Sequence, residues 1–346
     1  MLIKLLSLFS IIIFYITAIG QNFVWAKKIG GGIDQRSSAV ALDSKENVYT
    51  IGTFDGTTDF DPGPGTYNLT ASGTVDGFIS KLDLAGNLVW AKKIGGTRQT
   101  VAESVAIDDS DNLLITGWFE GTVDFDPGLG LFNMSSPGAF SDNFILKLDS
   151  SGNFVWVKSF FGNIIYGQSI TLDKFGNIYT TGQFGGTIDF DPGPATYNLT
   201  SIGAIFISKL NPSGNFVWAK TFEGNSYKDV NSITTDDFGN VYTTGYFQDT
   251  IDCDPSLGFY NLVSSGNYDG FISKLDSMGN FIWAKKIGGS GYDVGHSLVI
   301  DSLKNLYIAG SFQGTVDFDP GLGIYNLISN GGFDVFLLKL DSLGNI

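Results

Sequence analysis

Cysteine and histidine are nearly missing from this 346-residue chain. The single cysteine, Cys253, excludes an internal disulfide framework in any compartment. The single histidine, His296, excludes multi-histidine metal centres, and a Ser-His-Asp triad would have to rest on it alone. Charge is also sparse, at 16% of residues, and the 20 basic side chains are outnumbered by 35 acidic ones. A net charge of −15 repels nucleic acid and anionic lipid, so neither is expected as a partner. The lysine doublets Lys27-Lys28, Lys92-Lys93 and Lys285-Lys286 sit beside this acidic excess and read as solvated strand ends. Sustained helical apolar periods are missing too.

The one long apolar run lies at the start. Lys4 precedes Leu5 to Ile16, interrupted only by Ser7 and Ser10, and Ala18 and Gly20 supply small residues before Gln21. Residues 1–20 therefore read as a signal peptide cut after Gly20, too short for a comfortable membrane span. The expected destination is secretion, either extracellular or at the cell surface, with no transmembrane segment in the mature chain.

Glycine (46 residues) and phenylalanine (29) are plentiful, and 43% of the chain is hydrophobic. That composition suits short strands joined by tight turns around a packed core. Trp25, Trp90, Trp156, Trp218 and Trp283 recur about every 65 residues. Asp43, Asp108, Asp173, Asp236 and Asp301 close short apolar runs in step with them. Each of the five copies parses into four strands with Gly-Asn turns, a hairpin pattern. An insertion such as Thr57 to Leu69 separates the second and third strands and is expected to fold as a small extra hairpin. Four-stranded units in tandem predict an all-β propeller of five antiparallel blades over residues 21–346. The Trp25 strand, paired with the third strand around Phe336 to Leu340, would close the ring; without that pairing the chain is an incomplete propeller. A monomer is expected.

The motifs Gly-Asn-x-Tyr, Gly-x-Phe, Asp-Gly-Phe-Ile-x-Lys-Leu-Asp, Gly-Asn-x-x-Trp and Ile-Gly-Gly resemble the bacterial SBBP β-propeller repeat, frequent in secreted proteins, including those of Bacteroidetes. The resemblance spans Asn22 to Ile346. It implies the fold and no particular activity, and the seven blades usual in that family differ from the five copies counted here.

The repeated Asp-x-Asp-Pro of the insertion is the first candidate site: Asp59/Asp61, Asp124/Asp126, Asp189/Asp191, Asp252/Asp254 and Asp317/Asp319. Two chemistries fit it. Clustered carboxylates in a glycine-rich loop can hold calcium, with a third oxygen from Asp76, Asp142, Asp269 or Asp334; Ala204 breaks that series. Alternatively, Asp-Pro-Gly is a turn whose carboxylate accepts nearby backbone N–H groups. Cys253 stands where other copies have Phe60, Phe125, Phe190 and Phe318, an apolar core position. His296 shares its position with Glu103, Gln168 and Asn231 and reads as a polar residue at strand entry. Lys81, Lys147, Lys209, Lys274 and Lys339 recur in the third strand, where pairing with a blade carboxylate accounts for all five.

The links between blades differ most from copy to copy and share one face with the insertions. Arg98, Tyr166, Tyr227 and Tyr292 on that face are the expected contacts for a glycan or an extracellular protein. The chain thus reads as a binding, adhesion or structural module. The alternative is a carbohydrate-active enzyme, but the acids repeat from blade to blade and no copy shows a distinct acid–base set.

Overall fold

In the computed structural model, which describes residues 24–136, 140–321 and 323–346, every apolar run ending in aspartate is the first strand of an antiparallel unit. Residues 1–20 lie outside the described part. The turn that follows is built by the aspartate. Asp43 accepts from the backbone N–H of Lys45 and Asn47 and from the Asn47 side-chain amide, at 2.8–3.0 Å. The residue before the asparagine is left-handed, which explains glycine at Gly176 and Gly239; Glu46, Asp111 and Lys304 adopt the same conformation.

Four strands follow in meander order. They are Gln35–Leu42, Val48–Phe54, Asp76–Leu82 and Leu88–Gly96 in blade 1, and Thr100–Ile107, Leu113–Phe119, Asp142–Leu148 and Phe154–Lys158 in blade 2. Blade 3 contains Ile164–Leu172, Ile178–Asp189, Asn198–Leu210 and Phe216–Gly224, and blade 4 contains Lys228–Thr235, Val241–Phe247, Asp269–Leu275 and Phe281–Gly289. Blade 5 has three described strands, Val294–Ile300, Leu306–Phe312 and Asp334–Leu340. First strands of successive blades lie against one another, and the apolar clusters straddle neighbouring blades. The core is therefore mostly between blades, as expected for units that cannot bury both faces alone.

The insertions form the expected small hairpins, and they also stitch blades together. Asp124 pairs with Gly95, Asp252 with Glu223, and Asp317 with Gly288, each on the fourth strand of the preceding blade. One aromatic side chain anchors each hairpin inward. Phe60 packs on Phe54 and Phe78, with ring centroids 5.3 and 5.1 Å away; Phe125, Phe190 and Phe318 repeat the arrangement. Cys253 fills that place in blade 4 and is fully buried, which raises its thiol pKa through desolvation.

Of the five third-strand lysines expected to pair with carboxylates, two do so among the described residues. Lys81 lies 3.1 Å from Asp43 and Lys147 lies 2.8 Å from Asp108. Lys81, Lys209 and Lys274 also donate to the carbonyls of Ser150, Ser277 and Ser342, each in a turn of the next blade. Burial would raise the Asp43 pKa, but its donors from Asn47, Lys81 and Lys45 outweigh that and hold it well below the ordinary carboxylate range.

Among the described residues, the Trp25 segment does not pair with the Asp334–Leu340 strand, which bonds to Leu306–Phe312. Instead, Gly30 bridges Asp59, and the Trp25 indole donates to the Leu84 carbonyl of blade 1.

Removing one partner of a buried ion pair leaves the other charge uncompensated. Lys81→Met should therefore cost about 3–5 kcal/mol in urea unfolding. Lys339→Met, at the exposed equivalent in blade 5, should cost far less. Equal losses would show that the buried lysine has no special role.

Candidate functional site

Each first strand carries a β-bulge at the same place, and the extra residue has no cross-strand partner. The five residues are Ser38, Glu103, Gln168, Asn231 and His296. Opposite each bulge stands the glycine of Gly-x-Phe: Gly52, Gly117, Gly182, Gly245 or Gly310. A Cβ on Gly182 would fall 1.8 Å from the Tyr166 carbonyl oxygen, so the bulge requires glycine there. The result is a row of five unlike polar side chains along the first strands. The sequence expectation of a polar strand-entry role was correct in chemistry but missed the bulge. Its signal was the glycine in the facing strand.

Around this row the blades differ. Glu103 accepts from the Trp118 indole at 3.3 Å, and Trp118 packs edge-on against Tyr166 of blade 3 with centroids 5.5 Å apart. Gln168 donates to Asp229 of blade 4 at 2.6 Å, and Tyr246 donates to the same carboxylate at 3.4 Å. Burial pushes the Glu103 pKa up, with the Asp229 charge adding to the shift while the Trp118 bond opposes it. Burial likewise raises Asp229 despite its donors Gln168, Val230, Gln183 and Tyr246. Carboxyls on blades 2 and 4 thus both have raised pKa values, through burial first.

Two clefts flank the row. One of about 490 Å³ between blades 1 and 2 is lined by Asp34, Arg36, Asp55, Glu103 and Trp118. The other, about 420 Å³ between blades 3 and 4, brings together Tyr166 and Tyr227, two of the four expected contact residues, with Gln183, Ile202 and Lys228. The other two lie elsewhere. Arg98 reaches Glu120 at 3.4 Å, and Tyr292 packs between Tyr268 and Phe333 at 5.3 and 6.2 Å. Tyr227, Tyr246, Tyr268 and Tyr292 form a continuous aromatic chain along these junctions.

The 420 Å³ cleft opens where the repeat breaks. Elsewhere a third-strand aspartate holds the neighbouring loop: Asp76 accepts from the N–H groups of Ser72 and Gly73, and Asp269 from that of Ser265. Lys93 and Lys286 of the doublets reach these acids at 3.5 and 3.0 Å, so these two are ion-paired and not simply solvated. In blade 3 the position is Ala204, and Lys228 arrives from blade 4 instead. Its ammonium donates to the carbonyls of Gly203, Gly224 and Ser226. Burial lowers the Lys228 pKa, and Glu223 only partly offsets this.

The Asp-x-Asp-Pro pairs are bound up in their own loops. Asp59 accepts from Asp61 and Tyr67, and Asp61 from Gly63. Asp124 and Asp126, Asp189 and Asp191, Asp252 and Asp254, and Asp317 and Asp319 repeat this within 2.7–3.1 Å. The third-strand acids are engaged separately. No group of three or more metal-ligating side chains exists among the described residues. The geometry is that of the turn reading.

Two predictions follow from these acids. Asp124→Ala removes the acceptor of two backbone N–H groups and should cost about 1–3 kcal/mol. The loss should be the same in millimolar calcium as in chelator; a loss seen only with calcium would restore the metal reading. Asp142 is buried, and desolvation raises its pKa to about 6 despite opposing bonds from Ser136 and Gly162. The folded protein therefore keeps a proton that the unfolded chain loses near the ordinary value of 3.8. Its contribution to stability is full below that value and falls as pH rises through about 6. Asp142→Asn should thus raise stability near neutral pH by up to about 3 kcal/mol, with the gain disappearing in acid. Urea midpoints across pH would test this, and a pH-independent difference would refute it.

The SBBP family, described as a beta-propeller repeat, matches residues 161–183, 217–246 and 282–311. The last two matches start in the tryptophan strand of one blade and end in the second strand of the next. The chain is 26% identical over 407 residues to an uncharacterized WD repeat-containing protein of Acanthamoeba polyphaga mimivirus. That alignment takes in 93% of this chain but only 29% of the relative's length. A crystal structure at 1.35 Å of a protein of unknown function from Bacteroides caccae aligns with a TM-score of 0.41. It is 10% identical, over 90% of this chain and 79% of that one. The antiparallel blades and the three matched segments show that this chain carries β-propeller repeats of the SBBP type.

Proposed function

We propose that this chain is an exported, non-enzymatic binding module that holds a glycan in the cleft between blades 3 and 4, at or beyond the cell surface. The observation that carries the reading is the meeting of Tyr166 and Tyr227 with Gln183 and Lys228 in one 420 Å³ cleft. Aromatic faces cover the apolar faces of a sugar ring, while amide and ammonium groups address its hydroxyls. The cleft is lined by Ala204 and Lys228, residues that the other blades do not share at these positions, and such an asymmetric site suits recognition. Export is supported by the signal-peptide pattern of residues 1–20.

Glu103 and Asp229 favour a second reading, glycoside hydrolysis. Two carboxyls with raised pKa values in unlike surroundings are the raw material of acid–base catalysis. Their bonds to Trp118, Gln168 and Tyr246 also serve blade packing, so binding is the primary reading.

The test is titration of the mature chain with defined oligosaccharides, beside an assay for released reducing ends. Tyr166→Ala and Tyr227→Ala should each weaken binding at least about tenfold with little change in melting temperature. Tyr292→Ala should change binding little. Undiminished binding by both cleft variants would overturn the site. Sugar release that disappears in Glu103→Gln and Asp229→Asn would establish the hydrolytic reading instead.

A further inference from the structure

Blade 4 differs from blades 1 and 3 at the end where the links and insertions lie. Tyr227 precedes its first strand, Tyr246 is the last residue but one of its second strand, and Tyr268 precedes its third. At the same three places blade 1 has Asp34, Thr53 and Val75, and blade 3 has Ile164, Gln183 and Gly203. A meander brings these places together, because its first and third strands start at the end where its second strand stops. The three rings therefore touch. The Tyr227 centroid lies 5.9 Å from that of Tyr246 and 6.0 Å from that of Tyr268, and Tyr246 and Tyr268 are 5.3 Å apart. A parallel bridge between Tyr268 and Tyr292 carries the run into the link before blade 5, with centroids again 5.3 Å apart.

This run lies at the surface and not in the core. Tyr227 is 50% exposed and Tyr292 38%, and Tyr246 and Tyr268 between them are half-buried. Tyr227 also lines the 420 Å³ cleft, so the run begins in the cleft and leaves it across blade 4. Phenol groups supply hydrogen-bonding edges along the way, and that of Tyr246 already donates to Asp229 at 3.4 Å. The rings are not coplanar. Their planes are inclined by 39° between Tyr227 and Tyr246, 62° between Tyr227 and Tyr268, and 52° between Tyr268 and Tyr292. A flat, ribbon-like sugar chain keeps its ring faces in parallel planes and can lie against only one of these tyrosines at a time. A chain that turns from unit to unit can offer a face to each. The net charge of −15 disfavours a chain that carries carboxylates or sulfates.

We propose, building on the glycan reading of that cleft, that it is the first subsite of a longer track whose ligand is an uncharged, curved glycan chain of the maltooligosaccharide type. One part of the chain fills the cleft against Tyr166 and Tyr227, and the units that follow run over Tyr268 to Tyr292. The cleft sets where the chain is held, and the inclined tyrosines set its length and its shape.

Titration calorimetry of the mature chain with maltooligosaccharides and cellooligosaccharides of increasing length provides the test. Affinity in the maltose series should rise about three- to tenfold as the chain outgrows the cleft. The flat cellulose series should show no such rise. Because Tyr292 lies outside the cleft, Tyr292→Ala should leave the binding of short maltooligosaccharides unchanged, which also shows that the variant is folded, and should erase the gain of the long ones. Tyr292→Phe keeps the ring and should keep the gain. Affinity that does not depend on length, a gain that survives Tyr292→Ala, or an equal gain in the cellulose series would overturn the track. So would failure of every maltooligosaccharide to bind. Short oligomers whose binding is lost in Tyr166→Ala and Tyr227→Ala, with no gain from length, would overturn the track and leave the cleft standing. Binding that ignores both of those substitutions would overturn the cleft and the track together.

Discussion

A buried lysine between two blades is the interaction on which the architecture depends most. Lys81 sits 3.1 Å from Asp43, lies over the Tyr49 ring at 4.7 Å, and donates to the Ser150 carbonyl of the following blade. The aspartate in turn shapes the Asp-x-x-x-Asn turn that ends the first strand. One side chain therefore joins the turn, the core aromatic and the neighbouring blade. The cost of burying its charge is met only when all these partners are in place. Lys209 and Lys274 repeat the ring and carbonyl contacts, so register is fixed blade by blade at that end of the strands.

Fixing one end leaves the other free to vary. The bulge in each first strand detaches one side chain from the pairing rules, and the array places serine, glutamate, glutamine, asparagine and histidine there. The junction of blades 3 and 4 goes further by reversing polarity. Elsewhere a carboxylate accepts loop N–H groups; here an ammonium donates to loop carbonyls, and the smaller Ala204 leaves space beside it. A repeated scaffold can hold a single asymmetric cleft because each junction needs a charge matched to its own loop, not the same charge everywhere.

The sequence by itself determined the all-β class, the strand order, the insertion hairpins, the core place of Cys253 and the lysine–carboxylate pairing of Lys81 and Lys147. These follow from local periodicity and turn chemistry, which short stretches of chain encode. It also placed Tyr166 and Tyr227 on the variable face. Only the tertiary structure decided that these two meet in one cleft, that burial raises the pKa values of Glu103 and Asp229, and that Lys228 replaces the aspartate missing at Ala204. Those facts depend on contacts between residues tens of positions apart, across blades whose relative packing no single repeat specifies. The fate of the Asp-x-Asp-Pro motif was open for the same reason. The residues fit calcium or a turn equally well, and the backbone N–H groups that engage them could be counted only once the loop was folded.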